Sequence, residues 1–145
     1  MMPKIDREII SHLRQNARIS LSKLSAKLNI PVSTIYDKVK QHEKTFIKKH
    51  TTLLEFSKLG LHTQTHIAIK AKKDSRNTLQ EYLRKHGNVN SLYRINYGFD
   101  FLAECVFRNI AEAEDFVERI EAEFGIEEVH KFNVIDELKK EEFLV

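Results

Sequence analysis

Residue types that would indicate a secreted, membrane-spanning or loop-rich protein are scarce in this sequence. Its 145 residues include one cysteine, two prolines, four glycines and no tryptophan. A lone cysteine excludes an internal disulfide framework, and no apolar run approaches the roughly 18 residues of a transmembrane helix. The N-terminus becomes charged at once, unlike a signal peptide. We therefore expect a cytoplasmic protein without long loops.

Recognisable catalytic and metal-binding motifs are missing as well. We find no glycine-rich phosphate loop, no nucleophile elbow and no paired carboxylates at a recognisable site. The histidines are scattered, and His62 and His66 on one strand would lie about 13 Å apart, too far for one metal ion. Cys105, in a predicted strand, is interpreted as a small buried hydrophobe. We therefore expect no metal, no cofactor and no enzymatic activity.

The net charge of +3 conceals a division along the chain. Residues 1–50 contain 11 Lys and Arg against 4 Asp and Glu, a net charge of +7, whereas the rest contain 13 against 17, a net charge of −4. A basic first third joined to an acidic remainder is typical of a module that binds a polyanion. Chance clustering of solvated lysines is the alternative explanation.

The basic segment also has the pattern of a helix-turn-helix. Three helices are predicted, over about residues 6–16, 21–28 and 32–44. Asp6 and Ser20 are the expected N-caps of the first two helices. A turn at Asn29-Ile30-Pro31 joins the second helix to the third, which carries polar and basic side chains. Such a motif lays its second helix, here the third of the chain, in the major groove of double-stranded DNA.

The third helix and its surroundings supply the candidate DNA contacts. Tyr36, Lys38, Ser33 and Gln41 are the best candidates for contact with base edges or nearby phosphates, and Thr34 and Lys40 also belong to the expected DNA-binding set. Arg18, Lys48 and Lys49 are expected to make positioning contacts with phosphates. The two lysines lie in segment 46–54, which is rich in β-branched residues and predicted to form a strand, the wing of the domain. Asp37 could accept from cytosine N4 or pair with Lys38 or Lys40, and we prefer the ion pair.

The period of the hydrophobic residues changes after Gly60. Strands are predicted over 61–71, 89–97, 101–107 and 129–138, and helices over 75–86 and 111–125. The order β-α-β-β-α-β is ferredoxin-like, with two helices on one face of an antiparallel sheet. The chain is thus predicted to be α+β: a helix-turn-helix domain over 1–50, a linker strand and loop over 51–60, and a ferredoxin-like regulatory or oligomerisation domain over 61–145.

The second face of the predicted sheet has no cover from its own chain. Apolar or aromatic side chains there, with Tyr93, Val106 and Phe132 as candidates, would favour pairing with a second copy of the chain.

Several short segments, taken in order, carry a family resemblance. They are Ile5-Asp6-Arg7-Glu8-Ile9-Ile10, Asn16-Ala17-Arg18-Ile19-Ser20, Ser33-Thr34-Ile35 with Lys38-Val39, Lys58-Leu59-Gly60-Leu61, and Val89 with Tyr93-Arg94 and Gly98-Phe99-Asp100. Each segment alone is a weak signal, but their order and spacing over nearly the whole chain are fairly specific. The sequence resembles the Lrp/AsnC, or feast/famine, transcription regulators.

That resemblance implies a DNA-binding domain, a linker strand and a regulatory domain in a sequence-specific transcription regulator. It also implies a homodimer, often assembled further into an octamer, and an amino-acid effector bound near Gly98, Phe99 and Asp100 between dimers. The same residues are also explained as a hairpin turn, and both interpretations can hold. The sequence departs from the family pattern at five positions. Pro31 stands where a capping Ser is usual, Asp37 where Arg is usual, His42 where Leu is usual, Thr45 where Gly is usual and Tyr97 where Thr is usual.

Other classes of protein fit part of this pattern. Siroheme decarboxylases share the architecture, although their local motifs are not recognised here, and an absorbance spectrum would reveal a bound tetrapyrrole. An architectural, DNA-compacting protein would bind without sequence preference. A helix-turn-helix domain can also serve only for dimerisation or protein binding, and the +7 segment favours DNA.

Overall fold

The computed structural model describes residues 2–145, which form two compact units. The first unit comprises the chain up to Leu53 together with Leu138–Val145, and the second comprises Leu54–Glu137. Along the described residues, no helix combines the length and apolar character that crossing a bilayer would require.

Three helices build the first unit: α1 (Lys4–Gln15), α2 (Leu21–Leu28) and α3 (Val32–Thr45). Their inner faces meet at Ile9, Leu24 and Ile35, which are fully buried. The Ser20 hydroxyl accepts a hydrogen bond from the Lys23 backbone N–H at 3.1 Å, as predicted for an N-cap. Asn29 then adopts a left-handed conformation that ends α2 and turns the chain into α3. The predicted helix-turn-helix is therefore confirmed.

Two local predictions in this region are wrong. Helix α1 begins at Lys4 behind Pro3, so Asp6 lies within the first turn and is buried instead of capping the helix. Segment 46–54 contains no strand in the described structure. The Phe46 and Ile47 N–H groups both bond back to the His42 carbonyl, and the chain then runs on irregularly. A β-branched composition produces a strand only where a neighbouring strand completes the ladder.

The second unit opens with a short 3₁₀ helix (Phe56–Leu59), within the segment 51–60 that was predicted as a linker strand and loop. Gly60 does end it, with φ 78°. The elements β1 (Thr63–Ala71), α4 (Arg76–Lys85), β2 (Val89–Arg94), β3 (Phe101–Phe107), α5 (Ile110–Glu123) and β4 (Ile126–Asn133) follow. The sheet has the order β2-β3-β1-β4, with all neighbours antiparallel. This topology confirms the ferredoxin-like prediction.

Strand β4 lies several residues nearer the N-terminus than the predicted 129–138. It pairs with β1 from Ile126 opposite Ala71 to Asn133 opposite Thr65. One further bond joins the Val134 N–H to the Gln64 carbonyl. Because β1 begins at Thr63, the ladder has no partner for the residues after Val134, and the strand stops there despite its favourable composition.

The main core lies between one face of this sheet and helices α4 and α5. It contains Ile67, Ile69, Ala71, Leu79, Leu83, Phe101, Ala103, Cys105, Phe107, Ala113, Phe116, Val117 and Ile120, all buried. Burying each large side chain stabilises the fold by about 1.5–3 kcal/mol relative to exposure. Burial, reinforced by the charge of Glu104, raises the pKa of the Cys105 thiol to about 12. Its prediction as a buried hydrophobe is confirmed.

The opposite sheet face carries aromatic side chains that α4 and α5 do not cover. The register places Tyr93 beside Leu102, Leu102 beside Ala68 and Ala68 beside His130 in one row across the four strands. Phe132 and Tyr93 are 57% and 49% exposed there, as predicted. Val106 shares this face but is buried.

Candidate nucleic-acid interface and effector turn

The outer face of α3 presents most of the predicted DNA-contacting side chains to solvent. Ile35 and His42, seven residues apart, are buried and fix which side of the helix faces the core. The opposite side carries the exposed residues Ser33, Thr34, Tyr36, Lys40 and Gln41. The Lys40 ammonium lies 5.6 Å from the centre of the Tyr36 ring, so this face joins a cation to an aromatic surface. Such a face can contact both phosphates and base edges.

Lys38 differs from its neighbours because its side chain turns towards α1. Its Nζ donates to the Asp6 Oδ1 at 3.0 Å, and its side chain is only 28% exposed. The Lys40 side chain, two residues on, is 54% exposed. Lys38 is thus the predicted contact that the structure separates from the rest of the DNA-facing set.

The Asp6 carboxylate has a second buried partner. His42 Nε2 lies 2.9 Å from the same Asp6 oxygen, and His42 is 1% exposed. Burial alone would raise the pKa of Asp6. The hydrogen bonds from Lys38 and His42, together with their charges, outweigh burial and hold the pKa below its usual value. We call Asp6, Lys38 and His42 the Asp6 cluster.

The Asp6 cluster is not evident in the sequence because its members are far apart along the chain. Asp6 precedes Lys38 by 32 residues and His42 by 36. One signal was available: by the family resemblance, His42 stands where Leu is usual, and a polar ring on the buried side of a helix needs a partner. His42 Nε2 has that partner in Asp6, whereas Nδ1 has no hydrogen-bond partner in the described structure.

Asp37 lies on the exposed side of α3 among the candidate DNA contacts. Within residues 2–145 it forms no ion pair, since Lys38 is bound to Asp6 and Lys40 lies 3.9 Å from Glu43. The preferred ion-pair interpretation of Asp37 is therefore wrong. A free carboxylate remains on the surface proposed to face DNA.

The positioning cations lie outside α3. Arg18 is exposed in the turn between α1 and α2, where its backbone N–H bonds to the Asn16 side chain at 3.0 Å. Lys48 and Lys49 are exposed in the irregular segment after α3. Lys44, in the last turn of α3, is also exposed and was not among the predicted contacts.

The last eight residues belong to the first unit, which the sequence did not suggest. Arg14 of α1 donates from Nε to the Phe143 carbonyl at 2.9 Å and lies 3.5 Å from the Glu141 carboxylate. The tail thereby engages a basic side chain of α1.

The predicted effector residues sit in the loop between β2 and β3. Tyr97 and Gly98 both have positive φ, 60° and 83°, and the Tyr97 side chain is 94% exposed. Around Gly98 nothing lies within 4 Å of the place a Cβ would occupy, so its backbone is open to a ligand. The Phe99 ring packs edge-on against the His130 ring, with centroids 5.2 Å apart.

Asp100 points inward and is already engaged. Its Oδ2 accepts from the Ala71 N–H at 2.8 Å, and its own N–H donates to the Ile69 carbonyl at 2.8 Å. Arg76 Nε lies 3.1 Å from Oδ1 in an ion pair without hydrogen-bond alignment. Asp100 therefore ties the loop to the end of β1 and the start of α4. Arg76 was not anticipated from the sequence.

Comparison with protein families matches both units. The profile described as the Lrp/AsnC ligand binding domain covers residues 64–143, and that of a winged helix-turn-helix DNA-binding domain covers residues 2–41. The chain belongs to the Lrp/AsnC family. It is accordingly a DNA-binding regulator of transcription, and its second unit is the ligand-binding domain of that family.

Two relatives of this Lrp/AsnC protein match it over at least 90% of their own length. An HTH-type transcriptional regulator of Pyrococcus furiosus is 29% identical over 96% of this chain and 94% of its own. The regulator FL11 of the same organism is 24% identical over 93% and 90%.

Solved structures share the fold. The transcriptional regulator NMB0573 of Neisseria meningitidis, in complex with L-Met, has a TM-score of 0.89 at 22% identity, covering 97% of this chain and 94% of its own. LrpC of B. subtilis has a TM-score of 0.87 at 21% identity, covering 96% and 98%.

Proposed function

We propose that this Lrp/AsnC regulator binds specific DNA sites as a homodimer through the outer face of α3, and that an amino acid bound at the loop of Gly98 tunes its binding. The observation that carries the proposal is the exposed set on α3 within a segment of net charge +7. Polar groups on one helix face provide contacts to base edges, and surrounding cations neutralise phosphates.

In this proposal the side chains divide into two roles. Ser33, Tyr36, Lys40 and Gln41 approach base edges from α3. Arg18, Lys48 and Lys49 contact phosphates and set the orientation of the unit. The phosphate contacts carry most of the affinity and no sequence information directly, so losing one should weaken binding to all sequences alike.

Substitutions from the two sets test this division. Gln41→Ala should relax the sequence preference and cost roughly 1–3 kcal/mol on the preferred site, if Gln41 reads a base. Lys48→Ala should weaken binding to preferred and mixed-sequence duplexes equally. Equal losses on both duplexes for every α3 variant would leave an architectural, sequence-independent DNA binder as the better description.

The homodimer is proposed from the exposed aromatic side chains on the open sheet face of the second unit. Tyr93 and Phe132 lie on a sheet face that α4 and α5 leave open. An antiparallel sheet with one open apolar face can bury it against the same face of a second copy. Two bound copies would also present two copies of α3 to a DNA site with two-fold symmetry.

Sedimentation of matched variants tests the interface. Phe132→Asp places a charge on the open face and should produce a folded monomer. Ile110→Asp is the control, because Ile110 on α5 is equally exposed, 59% against 57%. A Phe132→Asp protein that sediments like the wild type would contradict the sheet-to-sheet dimer. An octamer, if formed, should depend on the dimer and disappear with it.

The effector proposal rests on the loop geometry and on the family's ligand-binding domain. Gly98 offers open backbone beside the Phe99 ring, while Asp100 holds the loop in shape through Ala71 and Arg76. The similar Neisseria meningitidis regulator was solved with L-Met, which supports an amino acid as the ligand class. The exposed Tyr97, where Thr is usual in the family, would narrow the site.

Calorimetry with the twenty amino acids tests the effector. A ligand should bind and change DNA affinity or assembly size, and DNA should change ligand affinity by the same factor. Gly98→Ala should lower the affinity for that ligand. Gly60→Ala is the matched control, since Gly60 has a similar positive φ and open surroundings outside this loop. If none of the twenty amino acids produces heat of binding, stabilisation or a change of assembly size, the proposed amino-acid effector is excluded and the DNA-binding function remains.

A further inference from the structure

Two lysines of α3 face different surroundings although they are only two residues apart. Lys40 extends to solvent beside Tyr36, whereas the Lys38 ammonium is 3.0 Å from the buried Asp6 carboxylate. An ammonium group that donates to Asp6 at this distance is drawn away from the outer face of α3. Both lysines contribute to the net charge of +7 of residues 1–50, but only the Lys40 side chain extends to solvent on the outer face of α3.

We propose that Asp6 is a positioning residue for DNA recognition. Its carboxylate holds the Lys38 ammonium against α1, so that Lys38 links α3 to α1 and does not contact DNA. This inference rests on the proposed DNA-facing side of α3. Lys38 is then not among the residues that approach base edges, and α1 helps to orient the residues of α3 that do.

The energetics favour the inward position of Lys38. Asp6 is 7% exposed, so its charge is costly unless donors compensate it. Moving Lys38 to a phosphate would leave the Asp6 carboxylate with His42 as its remaining donor, and breaking one side of a buried ion pair leaves an uncompensated charge. A DNA phosphate must therefore compete with Asp6 for the same ammonium group, whereas Lys40 lies 3.9 Å from Glu43, a carboxylate whose side chain is 35% exposed.

His42 supports this arrangement by fixing the carboxylate. An ionised carboxylate only accepts hydrogen bonds, so the His42 Nε2 must carry the proton that points at Oδ1. Asp6 is then held from α3 at two points one turn apart, by Lys38 and by His42. Together with the buried Ile35, this two-point attachment sets the rotation of α3 about its own axis and hence which side chains face outward.

Salt dependence of DNA binding tests the assignment, because each neutralised phosphate contributes about 0.9 to the slope of log K against log salt. The full chain would be titrated with a mixed-sequence duplex. Lys38→Met should leave the magnitude of the slope unchanged. Lys40→Met, its matched control, should reduce that magnitude by about one per bound DNA-binding unit. Asp6→Asn should free Lys38 and raise the slope by about one, and the double variant Asp6→Asn with Lys38→Met should return it to the wild-type value.

These outcomes separate the inference from the function on which it rests. Equal losses of slope in Lys38→Met and Lys40→Met would overturn the positioning role while preserving the DNA-facing side of α3. A slope that changes in none of the variants would overturn both. If Asp6→Asn does not fold, the two lysine variants alone decide, with thermal melting to verify that each is native.

Discussion

The two units of this regulator stabilise their interiors in different ways. The second unit packs 13 buried residues between a sheet and two helices. Among the described residues of the first unit four apolar side chains are buried, Ile9, Ile10, Leu24 and Ile35, and the same unit contains the buried, charged Asp6 with its two donors. A unit with so few buried apolar groups depends strongly on each polar contact. We therefore expect the DNA-binding unit to respond to charge and pH, and the ligand-binding unit to respond mainly to packing.

The largest expected effect is on the apolar core of the second unit. Phe101→Ala should destabilise it by about 3–5 kcal/mol, because a fully buried ring leaves a cavity. Cys105 provides the readout, since its buried thiol, with a pKa near 12, should react with a thiol reagent only when this unit opens. Phe143→Ala, on a 74% exposed side chain of the first unit, should leave that reactivity unchanged. Equal protection in both variants would contradict the assigned core.

The next effect concerns the first unit. Asp6→Ala should cost roughly 2–4 kcal/mol at neutral pH, because Lys38 and His42 lose their shared acceptor. The pKa of Asp6 is lowered in the folded chain, so its stabilising effect is complete above about pH 4 and is lost as pH falls through the folded pKa. Acid unfolding of the first unit should therefore be less steep in Asp6→Ala than in the wild type. Parallel acid transitions would contradict the lowered pKa.

A smaller effect is expected on the outer face of α3. Asp37 forms no ion pair among the described residues, and its charge opposes phosphate. Asp37→Asn should strengthen binding to mixed-sequence DNA by several-fold, about 1 kcal/mol, while keeping the side-chain size. Glu8→Gln on α1 is the control, because this carboxylate, whose side chain is 42% exposed, already has a cation, Lys4, at 3.8 Å. A weaker Asp37→Asn complex on a preferred site alone would instead favour contact with cytosine N4.

The smallest effect is a pH dependence in the second unit. Burial, and then the charge of Arg119, lower the pKa of His86, which packs against Phe116. The unfolded chain therefore takes up a proton at higher pH than the folded chain, and stability falls as pH decreases below about 6.5. His86→Gln should flatten this dependence in chemical unfolding between about pH 7 and 5. An unchanged slope would exclude His86 as its source.

The sequence predicted the elements well wherever local chemistry determines them. Ser20 caps α2 because its hydroxyl meets a free N–H three residues later, and the alternation around Ile67 and Ile69 identifies β1 because one sheet face is buried. Contacts over long sequence distances were not predictable in this way. Asp6 was predicted to cap α1, but the structure pairs it with Lys38 and His42 from α3. Asp100 was predicted as an effector contact or a turn residue, and its bonds to Ala71 and Arg76 were not foreseen.

The missing strand at 46–54 and the displaced β4 have the same physical origin. Each prediction used side-chain preference, whereas a strand is defined by its partner. Segment 46–54 has no paired strand beside it within the described structure, and β4 stops beside Thr63, where its partner strand β1 begins. The exposed side of α3, which carries most of the candidate DNA contacts, was easier to predict because the buried Ile35 fixes the orientation of the helix. Lys38 lies at the edge of that buried face, where periodicity alone cannot say which way a long side chain turns.

Selection of bound sites from random double-stranded DNA is the measurement that tests the central claim most directly. The full-length protein should enrich a motif with two-fold symmetry, as two copies of α3 on a dimer would require. The Gln41→Ala variant should enrich a motif with relaxed preference at one position in each half, while Lys38→Met should enrich the wild-type motif. A folded protein that enriches no sequence, or whose motif is unchanged by every substitution on the outer face of α3, would contradict the account.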